Sequence, residues 1–394
     1  MVRENIYRSS ATRHNLLHIQ MSRIIETLRS RLSTVATETA RACVAAELGC
    51  YLARSGQLDE AIQIVINIRG HIGVTSNPTI ACWVLLLEGI IRHFDGGSES
   101  PLDRIGRSFA MSLSLGDRRM IARTAAWKAH MEFQTGEFNH MRVSINSFIE
   151  NAGSQDVDAL IRCAMVLGNA YTLLDNMDAA RSAFRVCHRL AIDIGDESTI
   201  SAIIFNRVSH KISRCRYEFR RNLNGILSDA LMRLEISSSK NFDAATGVNA
   251  LAAISLVWRA RLLMLQDQSI AALEQLKLAA GCIGAGLSER SSLSLDLAWC
   301  YFRLDDIESA SLELMAIPKS MIDRMDLDDQ SIYYGLLYEV TKIGDPLDLQ
   351  LSAIALKQSE AERGYDGVIS SLAISVAGLD VLSIAGRVMA HDQG

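Results

Sequence analysis

Four short stretches carry residue types able to do chemistry. His14 and His18, in HNLLH, stand one helical turn apart, a spacing at which two imidazoles can share a metal. The stretch lacks the glutamate that acts as general base in a zinc-protease helix, and no third ligand lies near it in sequence. Two solvated histidines account for the pair. GCIGAG (281–286) has three glycines but follows a helical pattern, not a strand, so it does not fit the dinucleotide fingerprint. A helix-ending turn is expected there, because glycine accepts positive φ.

DRMDLDDQ (323–330) gathers Asp323, Asp326, Asp328 and Asp329, without the central glycine and final glutamate of a calcium loop. It reads as a helix start, where Asp suits the first turn. No phosphate-binding loop, nucleophile elbow or kinase motif set occurs. The chain is therefore expected not to be an enzyme and to use no metal or cofactor.

The fourth stretch is FNRVSHKISRCRYEFRRNLN (205–224). Between Arg207 and Arg221 it has six Lys or Arg against one acid, Glu218, in a chain of net charge −5. Arg207, His210, Lys211 and Arg214 recur at helical spacing and form one stripe, with Ile204, Val208, Ile212 and Cys215 on the opposite, core-facing stripe. Two readings stay open: a solvated outer edge, or the floor of an anion-binding groove. Arg220 and Arg221 read as the start of the next helix, where cations sit slightly unfavourably against the macrodipole.

The elements that must position these residues are helices. Only four prolines occur among 394 residues, Pro78, Pro101, Pro318 and Pro346, which leaves long stretches free of the residue that breaks helix interiors. A hydrophobic content of 49% with 22% charged residues marks a folded chain. The acidic balance argues against nucleic acid as a partner, since that usually needs a basic domain. Only seven of the 40 cationic residues are lysines; arginine offers a planar fork to carboxylates and phosphates, but genomic base composition accounts for the surplus as well.

The eight cysteines are scattered through apolar runs with no C-x-x-C, and read as reduced, buried small hydrophobes in a cytoplasmic protein. The N-terminal stretch has no apolar signal-peptide core, and its Arg-rich start is read as a capping helix. GVISSLAISVAGLDVLSIAG (367–386) approaches membrane-spanning length, but Asp380 and the many small side chains favour a buried terminal helix and no membrane partner.

The chain also repeats itself. ELGCYLARSGQLDEAIQIV (47–65) and VLGNAYTLLDNMDAARSAF (166–184) each have Leu-Gly, then a turn residue (Gly56, Asp175), then Ala five residues on (Ala61, Ala180). LAWCYFRLDDIESASLELM (297–315) repeats the scheme with Asp305 and Ala310, and weaker copies lie at 83–115, 125–148, 259–276 and 336–353. Small residues at the Leu-Gly and Ala positions let antiparallel helices approach closely, while Leu, Tyr and Phe fill the space between them.

Over positions 40–360 these units resemble tetratricopeptide repeats, whose consensus unit is about 34 residues long. Endings such as SLSLGD (112–117) and AIDIGD (191–196) are similar to arrays in bacterial signalling proteins. No unit has the full consensus, and the spacing exceeds the consensus length in places. The resemblance implies an all-α, right-handed superhelical solenoid of antiparallel helix pairs. Residues 1–38 would cap one end, 39–356 form about eight divergent repeats, and 357–394 supply a C-terminal capping helix and tail.

It further implies a concave groove lined by the first helix of each pair. Arg54, Arg162, Asn169, Trp258, Arg261, Trp299, Arg303, Tyr334 and Tyr338 project there, with Arg92 and His93 beside them in a looser register. Asn169 matches an Asn with which family members clamp a peptide carboxylate, but the accompanying lysines are missing. The function expected is a protein-interaction module binding an acidic or carboxylate-bearing partner segment. The alternative is a regulatory domain sensing a peptide or nucleotide. Homodimerisation through the apolar C-terminal helix is a further expectation.

Overall fold

The computed structural model describes residues 22–70, 77–95, 100–220, 252–282, 287–323, 325–343 and 348–390, with Ser238 and Asn241. His14, His18, Arg221 and residues 283–286 of GCIGAG lie outside these. Among the described residues the chain is all-helical, with no strand.

The helices, in order, are α1 (Arg23–Thr34), α2 (Glu38–Arg54), α3 (Leu58–Gly70), α4 (Pro78–Asp95), α5 (Pro101–Leu115), α6 (Arg118–Gln134), α7 (Phe138–Asn151), α8 (Val157–Leu173), α9 (Met177–Ile194) and α10 (Glu197–Arg220). After these come α11 (Ala252–Leu265), α12 (Ser269–Cys282), α13 (Leu287–Arg303), α14 (Ile307–Ala316), the single turn α15 (Lys319–Ile322), α16 (Leu327–Ile343), α17 (Asp348–Val376) and α18 (Val381–Ala390). Neighbours pack in pairs: α2 with α3, α4 with α5, α6 with α7, α8 with α9, α11 with α12, α13 with α14, and α16 with α17.

The turns inside the pairs share one backbone solution. Gly56, Gly136, Asp175, Asp267 and Asp305 all have positive φ, between 58° and 88°. The residue after each of these closes the same long-range bond: Gln57 N–H to Leu52 O, Glu137 to Glu132, Asn176 to Tyr171, Gln268 to Leu263 and Asp306 to Tyr301. This is the Schellman closure, and Asp replaces Gly because its short polar chain tolerates the left-handed region. The intervals from Gly136 to Asp175 and from Asp267 to Asp305 are longer than one consensus repeat, so the units here are extended.

Gly-Asp dipeptides join one pair to the next. Gly116 ends α5 at φ 64°, and the Asp117 carboxylate caps α6 by accepting from Met120 N–H at 3.1 Å. Gly195 ends α9 at φ 74°, and Asp196 caps α10 through Thr199 N–H at 3.0 Å.

Close approach at the repeated small positions is visible in atoms. A Cβ on Gly168 would lie 2.6 Å from the Phe184 ring, so α8 and α9 meet at a distance only glycine permits there. Ala61, Ala180 and Ala310 are all buried. Three large apolar cores result, over α1–α6, over α6–α10, and over α11–α16. A small cluster of Val208, Ile212, Trp258 and Leu262, with Phe205 against it, joins α10 to α11.

The C-terminal segment is not one helix. Gly378 at φ 76° breaks it, and Asp380 caps α18 through Ser383 N–H at 2.9 Å. The segment Leu349–Ala390 is long and apolar enough by composition to cross a membrane, with a third of its most apolar window buried. Its buried side is Leu372, Val376, Leu379, Val381, Ile384 and Val388, which join the core of α6–α10. The Arg142 guanidinium donates to the Ser375 and Ala377 carbonyls at 2.9 and 2.8 Å, and the Tyr171 hydroxyl donates to Leu379 O. The last two helices thus fold back onto the middle of the chain.

Candidate functional site: an arginine–tryptophan interior

The chain from α1 to α10 closes on itself. Ile24 N–H donates to Gly195 O at 3.1 Å, and Ser22 Oγ lies 2.6 Å from Glu197 Oε2. Arg23 donates to Ile192 O at 2.8 Å. Further inside, Arg54 of α2 donates to Asp196 at 2.7 Å and also reaches Thr199 Oγ1 at the start of α10.

The closure encloses the facing sides of α2, α4, α6 and α8. Arg123 on α6 is buried and bridges two acids, Asp158 at 2.5 Å and Glu47 at 3.0 Å, with its guanidinium 4.5 Å from the centre of the Trp83 ring. Burial opposes the charge of Arg123, but Asp158 and Glu47 outweigh it and hold the group firmly protonated.

Arg162 on α8 is different. Its guanidinium stacks on Trp127 at 3.9 Å, yet it forms no hydrogen bond or ion pair with the described residues, and its Nε is a buried donor without an acceptor. Only 7% of the residue is exposed. Burial, then the neighbouring Arg54 charge, pushes its pKa down to about 9, very low for an arginine. Arg54, Arg123, Arg162, Trp83, Trp127 and Tyr51 face a narrow chamber of about 20 Å³.

Other unsatisfied polar groups lie on the same helices. Asn169, two turns along α8, is fully buried with neither side-chain amide atom hydrogen-bonded. His130 has an unpaired Nδ1 and packs edge-on against both Trp127 and His93. Burial, reinforced by Arg162, keeps His130 well below its ordinary pKa and takes His93 down to about 4. Both imidazoles are neutral near pH 7.

A second buried ion cluster lies in the later half. Arg216, wholly buried on α10, donates to Asp296 at 2.6 Å and Asp329 at 3.0 Å, under the Trp299 ring at 5.5 Å. Arg261 donates to the other Asp296 oxygen at 2.7 Å and to Ser292 Oγ at 3.0 Å. Asp328, beside these in the first turn of α16, is raised to about 7 by burial and by its neighbours Asp329 and Asp326. Unlike Arg162, both arginines here have acids in contact.

The expected groove residues are thus placed as follows. Arg54, Arg162, Asn169, Trp258, Arg261 and Trp299 are all buried. Trp258 stacks on Phe205 at 3.7 Å. Arg303 pairs with Asp267 at 2.5 Å, and Tyr334 and Tyr338 are half-buried on α16. Arg92 is half-buried near the end of α4.

The stripe on α10 divides. Arg207 is exposed, whereas His210 packs edge-on against Phe133 of α6, its pKa taken down to about 4 by burial. Arg214 pairs with Glu218 at 2.7 Å and with Asp175 at 3.1 Å, and Lys211 is half-buried.

Sequence reasoning missed Arg123, Arg216 and the acids that hold them. One signal was present: Arg123 with Asp158, and Arg261 with Asp296, are each 35 residues apart, a spacing that carries one first helix to the next. A cation on one first helix meets an acid on the next. Cys50, Cys82, Cys163, Cys187 and Cys300 are buried free thiols, whereas Cys43 and Cys215 are only half-buried, and burial pushes Cys50 and Cys163 up to about 12. Glu132, Glu137 and His140 bring ligand atoms within 4.8 Å of one another, but Glu132 is already taken by Lys128 and Ser144. No family model matches the chain, and no curated protein matches it.

Proposed function

We propose that the chain is a non-enzymatic interaction module of the tetratricopeptide kind. In this reading it is a right-handed superhelical solenoid whose inner face holds an acidic or carboxylate-bearing segment of a partner protein. The observation that supports it best is Arg162, a buried guanidinium without an acid of its own. A buried cation left in that state is costly, and a partner carboxylate would supply the missing charge. Trp127 presents the guanidinium by stacking on it, and Asn169 offers an amide two helical turns away.

The Arg54–Asp196 contact then acts as a closure that an incoming carboxylate replaces. Asp196 gives up Arg54, α2 parts from α10, and the lining becomes accessible. A second reading, a sensor of a peptide or nucleotide that controls an effector, is favoured by that same closure, because parting it would change the curvature of the whole array. Cytoplasmic regulation, and pairing of two copies through the C-terminal helices, belong to the proposal as well.

Partner capture from native lysate with the wild-type chain and with Arg162→Met tests this. A partner lost by the folded variant, whose acidic segment as a synthetic peptide binds only the wild type, supports the reading. Equal capture by both proteins sinks it.

A further inference from the structure

The interior of α2–α8 raises a second question, independent of any partner protein: what neutralises Arg162 in the closed form. Two acids, Glu47 and Asp158, line the chamber and a third, Asp196, lies close enough to act on Arg162, but each is in contact with another group. Glu47 and Asp158 both hold Arg123, and Asp196 holds Arg54 and Thr199. Arg54 adds a second positive charge close to Arg162. One face of the Arg162 guanidinium is covered by Trp127, while its N–H edge borders the chamber and finds no acceptor among the described residues.

The chamber's size limits what can serve. At about 20 Å³ it has room for one water-sized particle and none for a carboxylate with its carbon chain. Water supplies an acceptor but no charge. A monatomic anion supplies both: the lining sets three guanidinium groups and aromatic edges against two carboxylates, Glu47 and Asp158, and Arg123 already holds both of these.

We propose that the chamber between Arg162, Arg54, Tyr51 and Trp127 is a chloride site, the anion serving as the counter-ion of Arg162 when the α2–α10 closure is made. Its occupant is held by N–H donors and by the positive field of two guanidinium groups, with no metal and no covalent step. A partner's carboxylate and the chloride would compete for one arginine, but the chloride site stands whether or not such a partner exists.

The test compares the full chain in sodium chloride and in sodium gluconate at equal ionic strength. Only a ligand of the folded state raises Tm with the logarithm of its concentration. The wild type is expected to gain Tm steadily with chloride. Arg162→Met, which keeps the apolar stem against Trp127 and removes the charge, is expected to show no gain and to equal or exceed the wild type in gluconate. Crystals grown in bromide are expected to show one anomalous peak beside the Arg162 guanidinium.

Equal chloride responses in wild type and variant, or bromide data with no peak in the chamber, would overturn the proposal. Peptide binding measured in gluconate separates this outcome from failure of the interaction-module reading. The bromide measurement decides the matter even if the variant does not fold.

Discussion

Arg54 and Asp196, 142 residues apart, meet at 2.7 Å and join the second helix to the start of the tenth. Both are almost wholly buried, so the pair belongs to the interior of the closed form. Thr199 accepts from the same guanidinium and donates to Asp196 at 2.7 Å, which completes a three-residue lock. A buried pair adds little net stability over an apolar one, but loss of a single partner leaves an uncompensated charge.

Asp196→Asn and Arg54→Met are therefore each expected to destabilise the chain by about 3–5 kcal/mol in urea unfolding, and the double variant by clearly less than the sum of the two. Faster amide exchange at the N-terminus of α10 and the start of α1 should accompany Asp196→Asn. Simple additivity of the two single costs in the double variant would show that the contact is not a charge lock.

Gly168→Ala should cost about 1–3 kcal/mol, because the added methyl falls within 2.6 Å of the Phe184 ring in a filled core. Phe184→Leu in the same chain should recover part of that loss. A double-mutant cycle that shows simple additivity would contradict the close approach.

Acid sensitivity follows from the buried histidines. His130 is held well below 6.5 and His93 and His210 near 4, so the unfolded chain binds more protons than the folded one between those values. Their neutral burial is without penalty above pH 6.5, and stability is lost as pH falls from 6.5 toward 4, by up to about 1.4 kcal/mol per pH unit for each histidine. His130→Phe should flatten that slope in unfolding titrations across the window. An unchanged slope would exclude His130 as a contributor.

Asp328 gives the opposite trend. Its folded pKa of about 7 lies above the unfolded carboxylate value, so folding penalises ionisation and stability is lost as pH rises from about 4 to 7. Asp328→Asn should leave stability at pH 4 nearly unchanged and raise Tm relative to wild type increasingly up to pH 7, with a plateau above. A constant difference across that range would rule the titration out.

Much of the fold was legible because the governing interactions are local. Leu-Gly and Ala at fixed offsets marked the close helix crossings, since only small side chains fit there, and Gly168 and Ala180 are seen to do that. Gly56, Asp175 and Asp305 marked the left-handed turns, since few residues accept positive φ. The core-facing stripe of α10, with Val208 and Ile212 buried, also followed from spacing alone.

What spacing could not supply was the partner of each charge. Periodicity puts Arg162 and Arg54 on inward faces but does not say that Asp196 satisfies one and leaves the other alone. That depends on how the intervening helix pairs pack so that α2 meets the start of α10, 142 residues away. His210 illustrates the same limit: it shares a stripe with Arg214 in sequence, yet tertiary packing turns it against Phe133 while Arg214 reaches Asp175. The return of α17 and α18 onto α7–α9 likewise had no local signal beyond Gly378 and Asp380, because long-range docking is decided by complementary apolar surfaces that no short window contains. Local chemistry determined the helices and their turns; the packing of helix pairs distant in sequence decided which buried charges are paired.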